Sequence, residues 1–179
     1  MPTENVTFVP ELYAPTAKIS KLRNDAISLT RWDLTARQIC DLELLMNGAF
    51  TPLKGFLGKE DYENVLDNLK LKDSSLWPIP ITLDVSELFA ATVKVGDSIA
   101  LCDQEGVILA KMEISDKWIP DKPYEAEKVF GTVDEFHPGV DYLINTSGNI
   151  YLGGAVQGIE SPNHYDFRER RNTPNELRA

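Results

Sequence analysis

The apolar positions of this chain fall into two regimes. Between Thr35 and Leu69 they recur at helical spacing, and from Trp77 onward they come in short extended runs. Thr35-Ala-Arg-Gln38 has the form of a capping box, in which the threonine hydroxyl accepts the Gln38 N–H and the glutamine side chain reaches back. The helix it opens is predicted to reach Met46. Its buried stripe is Ile39, Leu42, Leu45 and Met46, and Asn47-Gly48 is its stop. A second helix is predicted over Lys59 to Leu69, where Tyr62, Val65, Leu66 and Leu69 stand at i, i+3, i+4 and i+7. Ahead of Thr35 the pattern is weak: Pro2, Pro10 and Pro15 break the start, and "AISLTRWDLT" has room for one short strand.

The extended regime begins at "WPIPITLDV", with a strand predicted from Ile79 to Val85. "VKVGDSIALCD" and "GVILAKMEISDKW" read as two strands joined by the polar turn Asp103-Gln-Glu-Gly106. A short helix fits Tyr124 to Val129. "YLINT" and "IYLGG" read as short strands around a glycine turn at 148, and Gly153-Gly154 and Gly158 as residues of a tight turn. There is no internal repeat and little sign of a βαβ unit. The pattern implies a mixed α/β, mainly β fold: a compact barrel decorated by N-terminal helices.

One passage fits neither regime. "NGAFTPLKGFLG" places Phe50, Leu53, Phe56 and Leu57 among three glycines and a proline, a composition that opposes both regular helix and strand. Either the four side chains plug the end of the core, or they form a shaped wall for a partner surface.

At 179 residues the chain is long enough for one good core, or for a core domain with a short companion. No apolar run approaches a membrane span, and the N-terminus lacks the basic start and apolar stretch of a signal peptide; a soluble, cytoplasmic protein is expected. Cys40 and Cys102, each beside an apolar residue, read as core or near-core thiols. The net charge of −10 opposes a phosphate-backbone binder. Arg168, Arg170 and Arg171, with Arg178 beyond, form the one basic group that stands out, either a solvated tail or a docking surface for an acidic neighbour.

Candidate chemistry is sparse. There is no Walker loop, dinucleotide fingerprint, zincin motif, EF-hand or nucleophile elbow. Asp41 and Glu43 stand at i, i+2 on a helix and do not face one another. His137 precedes Pro138 and reads as a structural hydrogen-bonding residue, with ligand contact as the alternative; His164 reads as packing at a domain edge. No catalytic, cofactor-binding or metal-ligating residue is therefore assigned. Thr173-Pro174-Asn175-Glu176 is a strong helix start followed by only three residues, so the chain is expected to be part of a longer protein and residues 173–179 to fray.

"RQICDLELLMNGAFTPLKGFLGKEDY", "LWPIPITLDV", "EAEKVFGTVDEFHPGV", "YLGG" and "TPNELR" together resemble, in order and spacing, the N-terminal signature of the ATP sulfurylase (sulfate adenylyltransferase) family, across residues 31 to 178. The resemblance implies a PUA-like pseudo-barrel at residues 1–172, with 173–179 leading into a nucleotide-binding catalytic domain absent from this chain. It implies transfer of adenylyl from ATP to sulfate, with magnesium, by that absent domain, and a homo-oligomer in the full protein. The family's catalytic Gln-x-Arg-Asn-Pro-x-His stretch is missing here; Arg171-Asn172-Thr173-Pro174 echoes it without the glutamine and histidine. Under this resemblance Asn47 and Gly48 set the loop geometry and Phe50 and Phe56 serve as core or interface wedges. His137, Arg168, Arg170 and Arg171 complete the candidate structural or interface set. The alternatives are a stand-alone interaction module and an RNA-binding module, since PUA-like folds elsewhere bind RNA. With no long basic stripe to offset the charge, a filter titration with structured RNA at physiological salt is expected to find no submicromolar binding.

Overall fold

The computed structural model describes residues 8–179, so Pro2 lies outside the described residues. In chain order the elements are α1 (Thr16–Ile27), β1 (Thr30–Asp33), α2 (Ala36–Met46), β2 (Gly55–Phe56), α3 (Lys59–Asn68), β3 (Leu83–Val85) and α4 (Glu87–Ala90). There follow β4 (Ser98–Cys102), β5 (Ile108–Trp118), α5 (Lys122–Phe130), α6 (Pro138–Asp141), β6 (Ile150–Gly158) and α7 (Pro174–Arg178). The six strands of the described residues pair in the order β1-β4-β5-β6-β2, with β3 on β6. The fold is mixed α/β, and this sheet is open rather than closed into a cylinder. The chain separates into two compact units. The first holds the chain up to Gly55, Ser98–Met112 and Val156–Ala179; the second holds Phe56–Asp97 and Glu113–Ala155.

In the first unit β1 runs parallel to β4, with Thr30 opposite Ile99 and Asp33 opposite Cys102. Ala26, Ala100, Cys102, Ile108 and Ile159 form a buried cluster there, with Ile19 and Leu22 of α1 packed against it. The prolines therefore do not break the start as expected. Pro15 is the N-cap of a twelve-residue helix and stands outside it, where proline does no harm. The Thr35 capping box forms, and α2 buries Leu42, Leu45 and Met46 as its spacing predicts. The polar turn after β4 closes with Asp103 N–H on the Val107 carbonyl at 3.0 Å and Gly106 at φ +86°.

In the second unit α3 buries Tyr62, Val65 and Leu66. The phenol of Tyr62 and that of Tyr151 both donate to Glu125 Oε2 at 2.9 Å, inside a triad completed by Trp118, with ring centroids 5.6 to 5.8 Å apart. Burial, and then the Glu125 charge, push the Tyr62 hydroxyl far above the ordinary phenol range, so it stays a donor.

Three expectations are corrected. "YLINT" is a π-helical turn over Tyr142–Thr146, with Ser147 N–H on the Tyr142 carbonyl at 2.9 Å; its short apolar run carries no period that separates strand from helix. Gly153, Gly154 and Gly158 lie inside β6 rather than in a turn. The reason is close approach: a Cβ on Gly153 would stand 2.5 Å from the Leu57 carbonyl oxygen, and one on Gly158 2.8 Å from the Tyr13 ring. Cys40 is exposed, on the open face of α2, whereas Cys102 is buried and burial raises its thiol above the ordinary range. A small alkylating reagent at mildly alkaline pH is accordingly expected to label Cys40 in the native protein and Cys102 only after denaturation; mass spectrometry of the native adduct checks this, and equal labelling would contradict it.

Candidate domain interface

The candidates divide between the units. In the first, α2 ends where Asn47 N–H donates to the Glu43 carbonyl at 2.9 Å, and the Asn47 side chain then accepts the Ala49 N–H at 3.0 Å. Gly48 follows at φ +84°, and a Cβ there would lie 2.7 Å from the Pro10 carbonyl oxygen. Both reasons demand glycine. Phe50 is half-buried, its N–H on the Leu44 carbonyl at 3.0 Å. In the second unit Phe56 is buried in β2, so the glycine-rich loop does hold a two-residue strand. His137 caps α6: its Nδ1 accepts the Gly139 N–H at 3.2 Å and its ring centroid stands 5.0 Å from that of Phe130.

The first unit gathers a cleft of about 280 Å³ lined by Tyr13, Glu43, Asn47, His164, Arg168 and Arg171, among others. Tyr13 and Ser161 share a hydrogen bond at 2.8 Å, and burial raises the Tyr13 hydroxyl above its usual range. His164 Nε2 stands 2.8 and 2.9 Å from the two carboxylate oxygens of Glu43. Arg168 donates to the His164 carbonyl at 2.5 Å and to Asn163 Oδ1 at 3.3 Å; Arg171 pairs with Asp166 at 3.1 Å. Arg170 points elsewhere, its guanidinium 5.8 Å over the Phe167 ring.

One wall of the cleft is Thr173 and Glu176, at the start of α7. The predicted capping box forms, but the fraying expectation is corrected. Asn175 Oδ1 accepts the Val9 N–H at 2.7 Å, while its Nδ2 donates to the Val9 carbonyl at 3.0 Å and to Glu11 at 2.8 Å. A side-chain amide that completes a backbone pair in this way supplies the fixing that so short a helix lacks by itself. Sequence reasoning did not place Tyr13, Glu43, Ser161 or Asn175 in a site. Their partners stand more than a hundred positions away, beyond the reach of any local period.

Chemically, the cleft offers hydrogen-bond donors and two guanidinium groups, and its acids are engaged by His164 and by the Thr173 N–H. Among the described residues no three His, Cys, Asp or Glu side chains gather as a metal site, and no helix is long and apolar enough to cross a membrane.

Comparison with known proteins gives a PUA-like domain model that matches residues 3–161. The chain belongs to the PUA-like domain family. The domain is 51% identical over 162 residues to a sulfate adenylyltransferase of Eremothecium gossypii, a match covering 90% of this chain and 32% of that protein. Sulfate adenylyltransferases of Schizosaccharomyces pombe and Saccharomyces cerevisiae are 47% and 42% identical, over 89% and 99% of the chain and 33% and 35% of their own lengths. A solved structure described as a hexameric APS kinase from Thiobacillus denitrificans superposes with a TM-score of 0.75 at 33% identity, covering 97% of this chain and 30% of that one. The chain thus spans about a third of the length of the relatives it matches. These relatives carry the family name that the ordered motifs resemble.

Gly48 is the position of the candidate set with the least freedom. Gly48→Val is expected to destabilise the domain by roughly 1 to 3 kcal/mol, from the left-handed backbone together with the clash at Pro10. The denaturant midpoint reads this, and an unchanged midpoint would contradict it.

Proposed function

We propose that this chain is the N-terminal domain of a sulfate adenylyltransferase, an enzyme that joins the AMP moiety of ATP to sulfate and releases pyrophosphate. The observation that carries the reading is the pairing of extents: near-complete coverage of this chain by three fungal enzymes, and coverage of only a third of each of them. ATP, magnesium and sulfate would be held by the remaining two thirds. The phosphates of ATP call for convergent cations or a metal. In this chain Arg171 is engaged by Asp166, and Arg168 by neutral acceptors, on an open surface.

The role left to the domain is support. The cleft wall at Arg168 and Arg171 and the half-buried Phe50 offer the polar and apolar parts of a domain contact, whose ordinary composition is mixed. Asn47 and Gly48 hold that surface in shape. The whole protein is proposed to be a homo-oligomer, in keeping with the hexameric relative, and to work in the cytoplasm.

The test uses two proteins, this chain and the full-length product of its gene. With ATP, sulfate, magnesium and pyrophosphatase, the full protein is expected to form adenosine 5'-phosphosulfate and this chain to form none. Turnover by the chain comparable to that of the full protein would overturn the supporting role, and a full protein without this activity would overturn the enzyme.

A further inference from the structure

β1 ends the strand order, with β4 on one side, and among the described residues no strand pairs with its outer edge. Thr30, Arg31 and Asp33 are exposed there; Trp32 is half-buried, its indole N–H on Gln38 Oε1 at 3.1 Å. The ladder fixes which backbone groups face outward. In the parallel register Asp33 stands opposite Cys102, yet it is the next residue, Leu34, whose N–H reaches the Cys102 carbonyl at 2.8 Å. Backbone groups alternate along a strand. Trp32 therefore turns its N–H and C=O toward β4, as Leu34 does, and Arg31 and Asp33 turn theirs to the open edge. An edge of this kind is a template for a further strand.

Charged side chains ordinarily guard such an edge against pairing. Here their order admits one partner. Arg31 and Asp33 project from the same face of β1, one on each side of Trp32, and neither has an ion pair among the described residues. Laid antiparallel against a second copy about an axis through Trp32, Arg31 meets Asp33 of that copy and Asp33 meets its Arg31. These residues also carry the outward backbone groups, so each opposed pair can exchange both of its N–H···O bonds, with the two Trp32 residues as the closer pair between them. A slip of two residues either way sets Arg31 against Arg31 or Asp33 against Asp33, and like charges directly opposite repel. A slip of one sets outward groups against inward ones. We infer that β1 is a self-recognition edge, at which two copies join antiparallel about Trp32 and continue one sheet into the next. The contact is isologous and closes as a pair. It deepens the oligomer reading above by supplying one two-fold contact. The exposed ion pairs contribute little by themselves and act by selecting the register, and the net charge of −10 on each copy keeps the association modest.

Sedimentation equilibrium of this chain in a series reaching about 1 mM tests the contact, with the full-length product of the gene run beside it. The wild-type chain is expected to pass from monomer to dimer. Arg31→Asp and Asp33→Arg, made singly, each oppose like charges at both pairs and are expected to weaken dimerisation at least about fivefold. The double variant Arg31→Asp with Asp33→Arg restores opposite charges and is expected to recover the dimer, as is an equimolar mixture of the two single variants. General damage to the fold would produce neither recovery. Amide exchange gives a second readout: the Arg31 and Asp33 N–H groups are expected to gain protection with concentration, and the Trp32 N–H, turned to β4, to show no change. A chain that stays monomeric to the top of the series overturns the contact. So does a dimer that the single variants leave unmoved or that the double variant fails to recover. Full-length protein that is oligomeric while the chain does not dimerise overturns the edge contact alone, whereas monomeric full-length protein overturns the oligomer reading.

Discussion

The first unit depends on how closely three backbones approach one another. Leu12 donates its N–H to the Met46 carbonyl at 2.8 Å and receives the Gly158 N–H on its own carbonyl at 2.9 Å, while Ala14 N–H returns to Gly158 at 2.9 Å. The N-terminal segment is thereby bonded both to the end of α2 and to the end of β6. Such spacing leaves no room for side chains at the crossing points: a Cβ on Gly158 would also stand 2.9 Å from Met46 Sδ. The cleft inherits its geometry from this crossing. Tyr13 meets Ser161, and Glu43 meets His164, because the segments that carry them are held at backbone distance nearby. Glycine acts here through what it omits.

The second unit is organised around a charge instead. Burying a carboxylate is costly unless its oxygens are satisfied, and Glu125 is only 8% exposed. Two phenols donate to one of those oxygens. The aromatic rings around it fill space at tilted and edge-on angles that favour ring contact. The same arrangement ties α3, α5 and β6 to one atom. An apolar residue at 125 could pack, but it would strand two hydroxyl groups.

What the sequence made legible follows from the range of each interaction. The capping box at Thr35, most of the α2 and α3 stripes and the Asp103–Gly106 turn lie within a few positions of their own partners and are present. Leu69, predicted to end the α3 stripe, instead turns left-handed just past the helix and is exposed, and Ile39 is only half-buried. α1 was not legible: only Ala26 on it is fully buried, so no strong stripe announces it, and the prolines ahead of it read as breakers. The π-helical turn has too short an apolar run to show a period, and the glycines of β6 answer to residues far along the chain. Of the candidate site, Asn47 with Arg168 and Arg171 do share a cleft, but the residues that join them, Tyr13, Glu43 and His164, could be assembled only in three dimensions. The family resemblance was legible through ordered motifs, and the relatives that the chain matches over most of its length are sulfate adenylyltransferases.

The Asn175 clasp on Val9 joins residues 166 positions apart. On a ribosome, Val9 emerges long before its mate exists. Until position 175 has cleared the exit tunnel, the early segment around Val9 must keep its backbone groups in water or in provisional contacts. Closing so large a loop has an entropy cost that grows only slowly with length, so the delay is set by synthesis rather than by the search itself. The first unit therefore closes only once Asn175 has emerged, long after Val9 is made.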